Sequence, residues 1–416
     1  MGRTEDVQLR RIVLALTIAA LAADASATEL LPPTGKYPIG RVTYVWRDTN
    51  RIDELATPPA PREVRVHVFY PAQRSHRTRT APYHPDLELL ENYADEHIQK
   101  NYLREDFGGS YAMLKALRGH ALDHPPPAKS PRRFPIVVFS HGGGIQVLFY
   151  SAVLEELASH GYVVAAVEHP YDADLVAMPD GRVLKQKEWE HDPQRTPAER
   201  AAFHRTRHDV GARDNSFVLD QLARIHAGEI ASPLRGRLDL DRAAAAGHSL
   251  GGMTSVASCA TDRRFQACVN LDGGLDAGQK YQPTTQPLLA LYGGPSPVKM
   301  PIETDDGFEK RRQRNREFLE SAGHRQTVEQ YSNAARGVLA YVISPGFSHF
   351  SYYDLNKPEA EPWGGTPERS RRNLEIIRDC LRTFLDATLR QQSASMVGAM
   401  RAVDAQLMLV PLGDSR

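Results

Sequence analysis

Cysteine is scarce in this chain, with Cys259, Cys268 and Cys380 the only three among 416 residues. None sits in a C-x-x-C pair or in a Cys/His pattern with metal-ligand spacing, so no metal site is read from them. In an exported protein two of them could pair and leave one free; as small buried hydrophobes they need no partner at all. Charge of one sign is also lacking. Fifty-one basic residues balance 51 acidic ones at a pI of about 7.3, which leaves neither a basic stripe for nucleic acid nor an acidic tail. No internal repeat is visible. Beyond the first 27 residues, no segment is apolar for the roughly 20 residues that a bilayer crossing needs.

The first 27 residues have a different composition. Arg3, Arg10 and Arg11 precede the apolar run Ile12 to Ala23, which leads to Ala25-Ser26-Ala27. A basic start, a short apolar stretch and small residues before a cleavage point describe a secretory signal peptide, removed near Ala27. Glu5 and Asp6 stand against the basic character. The run is too short for a membrane anchor. The expected location is therefore secreted or periplasmic.

Past Ala27 the chain alternates between strand and helix patterns. "GRVTYVW" (Gly40 to Trp46) and "REVRVHVFYPA" (Arg62 to Ala72) have the β-formers of opening strands. Short apolar strands are then expected at Phe134 to Gly144, Tyr162 to Pro170, Ala243 to Gly247, Gln266 to Gly274, Pro287 to Gly294 and Gly337 to Gly346. Helical spacing marks Tyr150 to Gly161, Asp214 to Gly228, the stretch after Ser249, and Thr366 to Arg390. Buried strands alternating with amphipathic helices predict an α/β fold, a mostly parallel central sheet with helices on both faces. The expected organisation is one domain over residues 28–390 with a tail at 391–416. A helical insertion at 91–119 and a polar one at 171–200 could border the mouth of a site or merely elaborate the surface.

Gly247-His248-Ser249-Leu250-Gly251 is the one G-x-S-x-G in the chain. A strand precedes it and a helix comes after. In that context the serine occupies a strained turn and the flanking glycines avoid clashes, so Ser249 is the candidate nucleophile. Attack on an ester carbonyl develops negative charge on oxygen, which two backbone N–H groups can stabilise. Leu250, opening the helix, offers one. Gly143, in the "SHGGG" at the end of the third strand, is the candidate for the other. Among 16 histidines, His349 comes after the last expected strand and is the candidate base. His248 reads as packing beside the turn and His141 as supporting the glycine loop. His204 and His208 share a helical face without further ligands, and no metal is assigned to them. The acid has a less usual place. Gly293-Gly294-Pro295-Ser296 carries no carboxylate at the position most often used, so Asp272, one strand earlier in "VNLDGG", is preferred. Glu303, Asp305 and Asp306 remain alternatives. The order Ser249, Asp272, His349 is that of α/β-hydrolases.

"FSHGGG", "LASHGYVVAAVEH", "GHSLGG", "NLDGG" and "GFSHFSYYD" together resemble the platelet-activating factor acetylhydrolase family, from Gly35 through the closing helix. The resemblance implies an α/β-hydrolase fold and calcium-independent ester cleavage. It assigns nucleophile, acid and base to Ser249, Asp272 and His349, and the oxyanion amides to Gly143 and Leu250. Gly143 stands where better-known members carry a larger apolar residue. Residues 297–318 form an extra polar stretch. The family's lipid-facing helix corresponds to the 91–119 insertion, where Ile98, Tyr102, Leu103, Met113, Leu114 and Leu117 could meet a lipid surface or pack in the core.

The sequence thus predicts an exported serine carboxylic-ester hydrolase for short-acyl or phospholipid-type esters, working through an acyl-enzyme without metal or organic cofactor. Its expected partner is an ester or lipid substrate, with no nucleic acid. Two alternatives keep the fold: a cutinase-like or dienelactone-type hydrolase, and a non-catalytic domain that binds lipid or protein.

Overall fold

The computed structural model describes residues 30–74, 78–91, 117–187, 196–274, 284–293, 317, 320–334, 336–342, 347, 349–354, 367–392, 396–404 and 407–412. The expected signal peptide, most of the 91–119 insertion, and Glu303, Asp305 and Asp306 lie outside the described residues.

The chain opens with β1 (Ile39–Asp53) and β2 (Ala60–Pro71), then the short strands β3 (Thr80–Pro82) and β4 (Arg118–Asp123). The apolar runs read from the sequence become β5 (Phe134–Ser140), β6 (Val163–Glu168), β9 (Leu238–His248), β10 (Phe265–Leu271), β11 (Pro287–Gly293) and β12 (Arg336–Val342). A small separate hairpin, β7 (Leu175–Ala177) with β8 (Val183–Lys185), occupies part of the 171–200 insertion. Where a tail is expected, a short helix Met396–Arg401 leads to β13 (Leu407–Leu412).

Among the described residues, eleven strands form one sheet in the order β13-β12-β11-β10-β9-β5-β6-β2-β1-β4-β3. From β6 through β5, β9, β10 and β11 to β12, every neighbouring pair is parallel. β2 runs antiparallel to both β6 and β1, and β13 runs antiparallel to β12.

Burial on both faces explains why the central strands are apolar throughout. In β5, Val137 and Phe139 enter one core, while Phe134, Ile136 and Val138 enter the other. The two-residue period of a strand divides the side chains in this way. Helices α1 (Ser151–Ser159) and α5 (Pro367–Leu389) cover the first face with Leu154, Leu157, Ile377, Leu381 and Phe384. Helices α2 (Pro197–Ala227) and α3 (Leu250–Thr261) cover the second with Val218, Leu222, Ile225 and Val256. A further helix, α4 (Ala322–Ala334), precedes β12. This is the α/β-hydrolase fold. No helix among the described residues is long and apolar enough to cross a membrane.

Helix α2 starts well before the stretch that the hydrophobic pattern marks. Thr196 caps it, with Pro197 inside the start and Glu199 completing a reciprocal capping box. Gly228 ends it in the left-handed region, at φ 88°. Cys259, near the end of α3, is disulfide-bonded to Cys268 in β10, and Cys380 is buried and free. Leu117 is buried with Leu30, Tyr83 and Leu87, so the one described member of the expected lipid-facing set belongs to a core cluster.

Register brings the ends of the parallel strands to one edge. Ser140 pairs with Val167 and Gly247, and Leu271 pairs with His248 and Leu291. The loops leaving those positions carry the candidate residues.

Candidate active site

Ser249 occupies the single-residue turn between β9 and α3, at φ 53° and ψ −117°. A side chain costs free energy in this conformation, and the turn holds it by close packing. A Cβ added at Gly247 would collide with the Gly251 carbonyl, and one at Gly251 would press on the carbonyls of Ser140 and His141. The Ser249 N–H donates to Leu271 O at 2.8 Å, tying the turn to the end of β10.

Asp272 comes directly after β10 and also has positive φ, 54°. The next turn is closed by Asn270, whose amide donates to Gly273 O and accepts from Gly273 N, both at 2.8 Å. Asp272 N donates to Leu291 O at 2.8 Å, and Gly293 N donates to Asp272 Oδ1 at 3.3 Å. With no carboxylate after β11, that strand's terminal glycine instead supplies an N–H to Asp272 at the end of the neighbouring strand.

The structure brings the three side chains into a line. His349 Nδ1 lies 2.6 Å from Asp272 Oδ2, and His349 Nε2 lies 3.0 Å from Ser249 Oγ. The carboxylate can only accept, so Nδ1 carries the proton and Nε2 is left to accept from the serine hydroxyl. His349 is partly exposed, whereas Asp272 is nearly buried. That arrangement can take a proton from Oγ and hold the resulting imidazolium.

The glycine loop passes beside this line. A Cβ built on Gly142 would lie 3.4 Å from Ser249 Cβ, and one on Gly143 would lie 3.7 Å from Leu250 Cδ2. Gly143 and Leu250 are therefore neighbours in space. Leu250 is the first residue of α3, so its N–H has no partner within the helix. Polar contacts fix the loop at each step. Gly142 N donates to Tyr150 Oη at 3.0 Å, and Gly144 N donates to Asp172 O at 2.7 Å. Tyr150 Oη also lies 2.8 Å from His248 Nδ1. His141 Nε2 accepts from the His169 N–H at 3.0 Å, which leaves Nδ1–H to donate to Gly142 O at 2.7 Å. Burial, with the neighbouring His169, pushes His141 down to about 3, so its ring is neutral in this role.

Other partners were not marked by any motif. His169 bridges Ser140 Oγ at 3.0 Å and Asp214 Oδ2 at 2.9 Å, and Asp214 receives a paired contact from buried Arg62. Asp172 is held by Arg207 of α2. His248 is fully buried, its ring 4.5 Å from that of His349 and 4.7 Å from that of Tyr352. Burial, and then the neighbouring His349, push its pKa well below the usual value, so it adds no positive charge beside His349. His208 is buried within α2.

A family profile described as "Platelet-activating factor acetylhydrolase, isoform II" matches residues 22–294. A "Probable 1-alkyl-2-acetylglycerophosphocholine esterase" of Arthroderma benhamiae is 29% identical over 279 residues, covering 64% of each chain. A platelet-activating factor acetylhydrolase of Canis lupus familiaris is 30% identical over 288 residues, which cover 64% of this chain and 60% of that one. The chain thus matches somewhat under two thirds of the length of these relatives. Among solved structures, a ferulic acid esterase from Streptomyces cinnamoneus superimposes with a TM-score of 0.66 at 26% identity, over 92% of this chain and 99% of that one. The family profile spans β1 to β11, the glycine loop and the serine turn described above, and on that match the chain belongs to the platelet-activating factor acetylhydrolase, isoform II, family.

Proposed function

We propose that the protein is an exported serine carboxylic-ester hydrolase acting on short-acyl or phospholipid-type esters. The observation that carries this reading is the unbroken line from Ser249 Oγ through the His349 imidazole to the Asp272 carboxylate. Ser249 Oγ attacks the acyl carbonyl while His349 Nε2 takes its proton, and the Gly143 and Leu250 N–H groups stabilise the oxyanion. The C–O bond to the alcohol breaks, and His349 returns the proton to that alcohol. Water, giving a proton to His349, then attacks the acyl carbonyl; the bond to Ser249 Oγ breaks, His349 returns the proton to Oγ, and the acid is released. The names of the curated relatives support an alkylacetylglycerophospholipid as substrate class. The Cys259–Cys268 disulfide supports an oxidising compartment, in keeping with cleavage near Ala27. The domain is proposed to run over residues 28–390, with β13 added at its edge.

A second reading, an aryl-ester hydrolase, is favoured by the ferulic acid esterase that superimposes over nearly its whole length. One experiment tests both. Hydrolysis of p-nitrophenyl esters from acetyl to long acyl, and of methyl ferulate, is measured beside Ser249→Ala, with organophosphonate labelling of each protein. The expected result is serine-dependent turnover strongest on acetyl or butyryl esters, with label on Ser249. Turnover confined to ferulate favours the second reading, and label on another serine in Ser249→Ala removes both.

A further inference from the structure

The base stands on the turn His349–Asp354, and that turn is docked at its far end by one carboxylate. Asp354 Oδ2 accepts from Ser151 N at 2.7 Å and Oδ1 accepts from Ala152 N at 2.8 Å, so both oxygens cap the first turn of α1. Tyr83 Oη donates a third hydrogen bond to Oδ2 at 2.9 Å. The Asp354 N–H donates to Phe149 O at 2.8 Å. The neighbouring Tyr353 ring packs edge-on against Tyr150, centroids 5.2 Å apart, and Tyr150 is the residue that receives the Gly142 N–H. Tyr352 Oη donates to Leu291 O at 2.9 Å, the same carbonyl that receives Asp272 N.

We propose that Asp354 is a positioning residue for His349, docking the base-bearing turn on the N-terminus of α1 and joining it to the segment just beyond the glycine loop. This rests on the reading of His349 as the base. The physical case is the geometry of the cap. Burial pushes the Asp354 carboxyl well above its usual range, opposed by the Ala152 and Ser151 N–H groups and the Tyr83 hydroxyl. In either protonation state its two oxygens sit against two adjacent amides at once, and the ionised form gains from the positive end of the helix. An asparagine offers one oxygen and turns an NH2 group toward the other amide, so the turn must shift. His349 makes contacts of 2.6 and 3.0 Å that a small displacement removes.

The test uses Asp354→Asn and, as a milder change, Tyr83→Phe, which leaves both backbone contacts in place. Steady-state kinetics are read with the downfield proton resonance of His349 Nδ1–H on Asp272, a signature of the resting protein that does not depend on turnover. Asp354→Asn is expected to lower kcat about tenfold to a hundredfold with KM little changed, and to remove the resonance. Tyr83→Phe is expected to lower kcat by a smaller factor. A core variant chosen to match the Tm loss, such as Phe384→Leu, is expected to keep both kcat and the resonance. Retention of the resonance and of kcat in Asp354→Asn overturns the proposal. So does a fall in kcat with the resonance intact, or an equal loss in the core variant. If Asp354→Asn does not fold, wild-type kcat in Tyr83→Phe is sufficient to overturn it. If the wild-type protein has no serine-dependent turnover, the hydrolase reading fails, and the resonance alone still decides whether Asp354 positions His349.

Discussion

His141 makes two hydrogen bonds that two substitutions separate. Its Nδ1–H holds the Gly142 carbonyl, and its Nε2 accepts from the His169 N–H. In a trans peptide the carbonyl of one residue and the N–H of the next point in opposite directions. Holding Gly142 O therefore aims the Gly143 N–H away from His141. Asparagine at 141 can place its Nδ2 near the Nδ1 position and keep the first contact. Glutamine can place its Oε1 near the Nε2 position and keep only the second. Losing an oxyanion donor outright costs about 10²–10³ in kcat. The loss here should be smaller, because Ile145 N–H also reaches Gly142 O at 3.2 Å and Tyr150 still holds Gly142 N. A buried hydrogen bond of about 1–3 kcal/mol sets the expected fall for His141→Gln at roughly fivefold to a hundredfold, with His141→Asn within about threefold of wild type. The assay is kcat and KM on a p-nitrophenyl ester, together with the affinity of a boronic acid that mimics the tetrahedral intermediate. In His141→Gln that affinity should weaken in step with kcat/KM. Equal impairment of the two variants, or a fall in kcat with unchanged boronate affinity, would refute the peptide-plane argument.

Asp272→Asn turns an amide NH2 toward His349 Nδ1 and should lower kcat by about 10⁴ with KM retained; a loss below tenfold would point to another carboxylate. Gly251→Ala, which presses on two carbonyls, should destabilise by about 1–3 kcal/mol or more, whereas Gly274→Ala meets nothing within 4 Å among the described residues and should be neutral in urea unfolding. Burial pushes Glu168 up to about 8 despite Arg65 and the Val147 N–H. Between 4.5 and about 8 the native state holds the proton and the unfolded state does not, so stability declines as pH rises across that window and is flat above it. At about 1.4 kcal/mol per pH unit the effect is at most about 5 kcal/mol, and Glu168→Gln should remove it; matching pH–stability curves for the two proteins would refute the assignment. Glu156 has the opposite sign. Burial would raise it, but His160, Arg378 and Thr34 outweigh that and hold it at about 2, so its contribution is complete above 4.5 and lost as pH falls toward 2. Arg378→Met should cost about 3–5 kcal/mol at pH 7 and progressively less in acid, read from unfolding midpoints at each pH.

The parallel core was legible in the sequence because strands buried on both faces must be apolar throughout, and β5, β6 and β10 to β12 fall on runs of that kind. Ser249 was legible because only a small set of residues tolerates its turn. Asp272 emerged from the absence of a carboxylate after β11, and the structure fills that place with the Gly293 N–H. The start of α2 was missed because its first turns carry no apolar period, although Thr196-Pro197 with Glu199 is a capping signal. The strands at 118–123 and 407–412 are short pieces near the two ends of the sheet, held by pairing with neighbours far away in sequence. Asp354, His169 and Asp214 had no local signal, since each acts through a partner dozens to hundreds of residues distant, and Tyr150 joins nearby Gly142 to distant His248. "SFVLD" beside Asp214 reads as an ordinary helix until Arg62 is seen beneath it.

The sheet order also bears on how the chain is made. From β5 onward, β9, β10, β11, β12 and β13 each add to the same growing edge in the order of synthesis. Every unfinished chain therefore ends in a parallel strand with a bare row of backbone donors and acceptors, an invitation to pair with another nascent molecule. β13 is the first strand on that side to run antiparallel, and it covers β12 from Gly337 to Val342. A ribosome stalled before residue 407 would release a protein that holds every proposed catalytic residue and yet exposes an adhesive flank. Removing this strand of six residues is expected to bare β12 and lower solubility during expression while leaving every proposed catalytic residue in the chain.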